Sequence, residues 1–252
     1  SMKRMDDQKD TKKLKVLERE ILSSDKNVNG ILEIMNMILE SSTTTTTRLN
    51  ATNALRRIFA SHARKGNLHT PSSKKEKKKI AARDRLRVWM RDQFSVYLKC
   101  LVEMLGVKGE DDVSRTTRLA SLRTMMYFAK HANLLQNREN ISRYHFGNDM
   151  YIRIVRFLVK NKNADEELWE TLIEEFLPFH DVQLYTLRNL KRILDVVKKK
   201  RTTFSSSEET NQVLNNVFRL LLEIRVPTKQ NRLDNFFVEF STEEQLVEKI
   251  QG

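Results

Sequence analysis

The 252-residue chain contains only 6 glycines, 3 prolines and one cysteine, and each scarcity excludes something. Strand-rich folds need turn residues about every 8–12 positions. This chain has too few of them, so the fold class is all-α. A lone cysteine, Cys100, allows neither an internal disulfide nor a cysteine-based zinc cluster, which suits a reducing compartment. No apolar run reaches the ~18 residues a membrane-crossing helix requires. The opening SMKRMDDQKD lacks the apolar centre of a secretory signal, and Ser1-Met2 reads as the remnant of an expression leader. Glycine-rich phosphate loops and a nucleophile-elbow GxSxG are missing. His62, His69, His131, His145 and His180 form no i, i+4 pair and no HExxH frame, so no metal is assigned. No catalytic residue, cofactor, small-molecule substrate or membrane contact is expected.

What the chain has is positive charge and helical periodicity. Lys and Arg number 46 against 33 Asp and Glu, a net +13. Such an excess favours an acidic partner, nucleic acid foremost. Apolar residues recur at helical spacing almost throughout. Leu14, Leu17 and Ile21 mark a first helix over 12–23. Val28, Ile31, Leu32, Met35, Ile38 and Leu39 mark the inward face of a second over 27–40. Thr43 to Thr47 is poor helix material and reads as a turn and helix entry. Leu49, Leu55, Ile58 and Phe59 then carry a third helix to about Lys65, where Gly66 stops it. Further helices are predicted over 77–105, 111–134, 148–161, 165–177, 182–200 and 208–224. Ser205 with Glu208, or Ser206 with Glu209, starts the last of these, and Ser241 with Glu244 starts a short final one. About nine helices joined by short connections predict an irregular α-solenoid of the HEAT or armadillo kind. The organisation expected is a tail at 1–11, then a single helical-repeat domain over 12–252 with a loop at about 66–76. No fixed repeat period is visible.

Three groups are candidate contact residues. The first is the stretch PSSKKEKKKIAARDRLRVWMRD at 71–92. Lys74, Lys75, Lys77, Lys78 and Lys79 fall in its loop part. Arg83, Arg87 and Arg91 stand four apart beside an apolar stripe of Leu86, Trp89, Met90, Phe94, Tyr97, Cys100, Leu101 and Met104. Like charges at that spacing repel, so the ridge is favourable only against something negative. Acids of a neighbouring helix, RNA phosphate and an acidic protein segment all qualify. Arginine suits each, because its planar fork bonds phosphate or carboxylate at two points. The second group is Lys198, Lys199, Lys200 and Arg201, at a helix C-terminus that favours cations by itself. The third is the aromatic set Phe236, Phe237 and Phe240, a candidate protein interface. Glu166, Glu170 and Glu174 share one helix face and read as solvated or as a basic partner's contact rather than as catalytic acids.

Three stretches carry a resemblance: LRRIFASHARKGNLHTPSSKK (55–75), LRVWMRDQFSVYLKCLVEMLG (86–106) and VFRLLLEIRVPTKQNRLDNFFVEF (217–240). Their order and spacing resemble the N-terminal half of nucleolar complex protein 4, a ribosome-assembly factor of the small-subunit pathway. The resemblance implies a helical-repeat protein of the nucleus and nucleolus without catalytic activity. It implies contacts to the small-subunit pre-ribosome, to pre-rRNA and to nucleolar protein 14. The resemblance also implies a C-terminal module in family members, which is not expected within these 252 residues. Two other readings compete: a stand-alone basic RNA-binding module, and a nuclear transport or adaptor solenoid.

Overall fold

Helix boundaries follow the capping chemistry written in the chain. The computed structural model describes residues 2–40, 43–69, 82–109, 111–135, 145–162, 164–201, 207–225 and 235–238. These form nine α-helices with no strand among the described residues, and the chain divides into two compact units. No helix described is long and apolar enough to cross a membrane.

The first unit comprises residues 1–128 and 132–141. It holds α1 (Met2–Ser23), α2 (Gly30–Leu39), α3 (Thr45–Arg64), α4 (Ala82–Leu105) and most of α5 (Asp112–Lys130). Helix α1 begins at Met2, inside the stretch expected to be a tail. The threonine run behaves as expected. Thr44 caps α3, its side chain accepting from the Thr47 N–H at 3.2 Å, and so serves one of the orphan donors of the first turn. At the other end Gly66 takes a left-handed φ of +77°. The Gly66 N–H then donates to the Ala63 carbonyl, and the Asn67 N–H to the His62 carbonyl, both at 2.9 Å. That pair of bonds is the Schellman closure, which needs a residue without Cβ at this position. Asp111 opens α5, accepting from the Ser114 N–H at 2.9 Å and the Ser114 hydroxyl at 2.7 Å.

The core of this unit is aromatic. Phe59 of α3 stacks on Tyr97 of α4 and meets Phe94 edge-on, both at 5.3 Å. Phe94 meets Phe128 of α5 edge-on at 4.9 Å. The Tyr97 hydroxyl donates to the Thr52 carbonyl at 2.7 Å, so its one polar atom is satisfied inside. Helix α2 differs from its sequence reading. Val28, Ile31, Met35 and Ile38 are buried as expected, but Leu32 and Leu39 are exposed and Ile34 takes the inner place. The six-residue stripe is wider than the groove that α1, α3 and α4 leave for it, and its edge stays wet.

The second unit comprises residues 129–131 and 142–252. Helices α6 (Asn148–Lys160), α7 (Glu166–Thr171), α8 (His180–Arg201) and α9 (Ser207–Glu223) build it. Helix α7 runs on as a π-turn over Leu172–Phe176, a local widening that the 3.6-residue period does not announce. Helix α6 packs on both α8 and α9. The Tyr151 and Thr186 hydroxyls lie 2.5 Å apart within that packing. Asn216 of α9 donates to the Leu158 and Val159 carbonyls at 3.2 and 3.1 Å, which closes the C-terminal end of α6.

Candidate interaction surfaces

Each group marked from the sequence has a definite place. Lys74, Lys75, Lys77, Lys78 and Lys79 lie outside the described residues. The arginine ridge on α4 splits. Arg83 is exposed at the rim of a hollow lined also by Asp25, Lys65, Asn67 and Leu86. Arg87 turns inward, its Nε donating to the Gly66 carbonyl and its Nη1 to Asp84, both at 3.2 Å. Arg91 donates from Nη1 to the Leu68 carbonyl at 3.2 Å. These two arginines therefore meet backbone carbonyls of the turn just after α3, and Arg87 also meets the Asp84 carboxylate. The sequence supplied the need for a counter-charge but not that backbone would meet it. Replacing Arg87 with Ala is expected to lower stability by about 1–2 kcal/mol, the worth of a charged, half-buried hydrogen bond. Urea denaturation measures it, and an unchanged midpoint would mean that the α3 exit does not use Arg87.

His62 sits under the same turn with no exposed surface. Its Nδ1 lies 3.0 Å from the Asn67 amide nitrogen, which can only donate, so Nδ1 is the acceptor and the ring is neutral. Burial, reinforced by Lys65, holds its pKa below the ordinary 6.5 although Asp25 pulls the other way. A lowered folded value means the unfolded chain takes up the proton first. The contribution is complete above about pH 6.5 and is lost as pH falls below it. Denaturation midpoints are expected to fall between about pH 7.5 and 5.5, and His62→Gln is expected to flatten that slope. A slope identical in the variant would assign the effect elsewhere.

In the second unit Lys198 and Lys199 are exposed near the end of α8, while the Lys200 and Arg201 side chains lie outside the described set. Beside them is a cleft of about 760 Å³ that the sequence reading missed. Arg156 and Lys160 of α6, Lys162 just beyond it, and Arg192 of α8 supply its cations. Ile193, Val196, Val197 and Val213 supply apolar wall, and Glu208 and Glu209 stand at the start of α9. Lys162 bonds Glu208 at 3.0 Å. Arg156, Lys160 and Arg192 have no carboxylate at ion-pair distance among the described residues. Only the i, i+4 pair Arg156 and Lys160 was visible in the sequence, because three separate elements assemble the rest.

One member of the third group is spent on packing. Phe237 is buried, with Phe176 edge-on at 5.5 Å, Phe179 tilted at 5.3 Å and the Lys130 ammonium 5.6 Å above its ring. Its N–H donates to Asp181 Oδ1 at 2.9 Å, and the Val238 N–H donates to Oδ2 at 3.0 Å. Phe237 is thus a core residue of this unit rather than a side chain held out to a partner. Phe236 is half-buried, 6.1 Å from the His180 ring, and Phe240 lies outside the described residues. The large apolar residues that do face outward include Phe218, Leu221 and Leu222 of α9.

The acidic run of α7 and its π-turn divides between the fold and the surface. Glu166 accepts both nitrogens of the Arg219 fork, one at 2.9 Å, and that bond holds its carboxyl below the usual range. The same guanidinium lies 4.6 Å above the Trp169 ring. Glu170 and Glu174 are exposed. Burial pushes the Cys100 thiol up to about 11, so it stays protonated and unreactive at neutral pH. No group of three metal-binding side chains occurs among the described residues.

Comparison with known proteins completes the picture. A family model described as "Nucleolar complex protein 4-like, TPR repeats" matches residues 4–203. An uncharacterized protein of Schizosaccharomyces pombe is 24% identical over 215 residues, covering 85% of this chain and 42% of the relative. The chain thus spans about two fifths of that relative's length. No solved structure matches. The expected all-α repeat fold is borne out, with tetratricopeptide repeats named where a HEAT or armadillo type was expected. All three are stacked helix pairs, and composition does not separate them. The match covers most of the chain, and the chain belongs to the nucleolar complex protein 4-like family.

Proposed function

We propose that the chain is a non-catalytic scaffold of nucleolar ribosome biogenesis that acts on the small-subunit precursor through protein and pre-rRNA contacts. The observation that carries this reading is the family match over residues 4–203. An all-helical build and a +13 charge agree with it, since an assembly factor works among RNA and charged proteins. Nucleolar protein 14 is the partner the resemblance implies, and the nucleolus is the place of action. Pre-rRNA phosphate would be met by Lys74, Lys75, Lys77, Lys78 and Lys79 with exposed Arg83, and by Lys198 and Lys199 with Lys200 and Arg201. Arg87 and Arg91 contribute less, being engaged with backbone.

Depleting the full protein from cells tests the reading. Small-subunit rRNA precursors are expected to accumulate while large-subunit precursors mature normally. Equal effects on both subunits, or none on either, would overturn it.

A further inference from the structure

The cleft between the ends of α6 and α8 and the start of α9 combines two properties that seldom serve one phosphate ligand. Its rim carries Arg156, Lys160, Lys162 and Arg192, against the carboxylates of Glu208 and Glu209. Glu208 is committed to Lys162, and acids in a first helical turn also answer the helix dipole. Arg156, Lys160 and Arg192 have no carboxylate at ion-pair distance among the described residues, although the C-terminal pole of α6 answers Lys160 in part. Arg156 and Lys160 stand four apart on one helix, an arrangement that repels unless an anion lies against it.

The wall is aliphatic. Val196 is 47% exposed although it stands beside fully packed Ile193, and half-buried Val197 and Val213 extend the surface. None of the described lining residues is aromatic. Single-stranded nucleic acid binds by stacking bases on aromatic rings while cations follow the backbone, and the described lining offers aliphatic wall instead. Aliphatic wall under a cationic rim matches a segment with leucine-like side chains on one face and carboxylates on its flanks. A volume of about 760 Å³ accommodates a few such side chains.

We infer that this cleft is a docking site for an acidic amphipathic segment of a partner protein. The segment's apolar face lies on Val196, Val197 and Val213, and its carboxylates meet Arg156, Lys160 and Arg192. Arginine forks hold carboxylates at two points, which fixes the register of the segment. The inference rests on the scaffold reading above insofar as the partner belongs to the same assembly. Its test uses the isolated chain, so it fails or stands apart from whether the protein enters small-subunit precursors.

Fluorescence anisotropy would follow three labelled probes. They are a synthetic helix with one leucine face and one glutamate face, the same helix with every leucine changed to glutamine, and an oligouridine RNA. The leucine–glutamate helix is expected to bind at least about 10-fold tighter than its glutamine version. Arg156→Glu with Arg192→Glu is expected to weaken that binding by about 100-fold. Val196→Gln, which leaves the charges in place, is expected to weaken it by roughly 5-fold. All three side chains are exposed, and an unchanged urea midpoint certifies that each variant is folded. Absence of saturable peptide binding by about 100 µM, or binding indifferent to both variants, would overturn the inference. So would RNA binding abolished by the double reversal with peptide binding untouched, which would make the cleft a phosphate site.

Discussion

Phe59→Ala is expected to destabilise the first unit by about 3–5 kcal/mol. Phe59 has no exposed surface and joins three helices, because its ring packs on Phe94 and Tyr97 while these reach Phe128. Truncation removes the transfer free energy of a whole ring and opens a cavity that neighbours from α4 and α5 can only partly fill. The edge and stacked geometries among the aromatics add about 0.5–1.5 kcal/mol per pair beyond burial. Phe59→Leu keeps most of the volume and is expected to lose less than half as much. Only two tryptophans occur in the chain, and Trp89 lies in the first unit and Trp169 in the second. Fluorescence of a Trp169→Phe background therefore reports denaturation of the first unit alone. A loss below about 1 kcal/mol would mean that the aromatic core is not what holds α3 to α4.

Asp181→Ala is the matching test in the second unit, with an expected loss of about 3–4 kcal/mol. The Asp181 carboxyl is 2% exposed. It accepts the N–H groups of Val182, Phe237 and Val238 at 3.0, 2.9 and 3.0 Å. Alanine leaves all three donors without that acceptor in a dry site, which is costlier than losing three exposed bonds. It also cuts the Phe237 and Val238 backbone loose from α8, so the segment is left with the His180 N–H to Asn235 carbonyl bond at 2.9 Å and with the Phe237 ring between Phe176 and Phe179. Asp181→Asn retains one acceptor oxygen and is expected to fall between the two. The readout is Trp169 fluorescence in a Trp89→Phe background. A variant as stable as the parent would show that Phe237 packing and the Asn235 bonds anchor the segment without Asp181.

Asp181 also shows where reading from sequence stops. Nothing in the spacing of residues distinguishes an aspartate in the first turn of α8 from the many acids that favour such turns for electrostatic reasons. Two of its three N–H partners, Phe237 and Val238, come from more than 50 residues away in the chain. The arginine ridge teaches the same limit from the other side. Periodicity placed Arg83, Arg87 and Arg91 on one flank and demanded a negative neighbour. It could not foresee that Gly66 and Leu68 would present carbonyls there, because those carbonyls point outward only once the Schellman turn forms.

Local signals fared better. The stop at Gly66, the entry at Thr44 and the start of α5 at Asp111 all rest on bonds within a few residues, and each forms as its chemistry dictates. The apolar stripe of α4 is buried from Met90 to Met104, while Leu86 and Trp89 are only half-covered near its beginning. Stripes set direction, but the neighbours decide their width, as exposed Leu32 and Leu39 show on α2. The basic cleft was the least legible feature, since α6, α8 and α9 contribute to it from residues 156 to 213.

The family assignment makes one claim that a single purification can test. The full protein, tagged at its natural locus, would be isolated under native conditions and its associated RNA identified and sedimented on a gradient. The account predicts that the protein migrates in large particles containing small-subunit rRNA precursors. Recovery at the top of the gradient, free of precursor RNA, would contradict it.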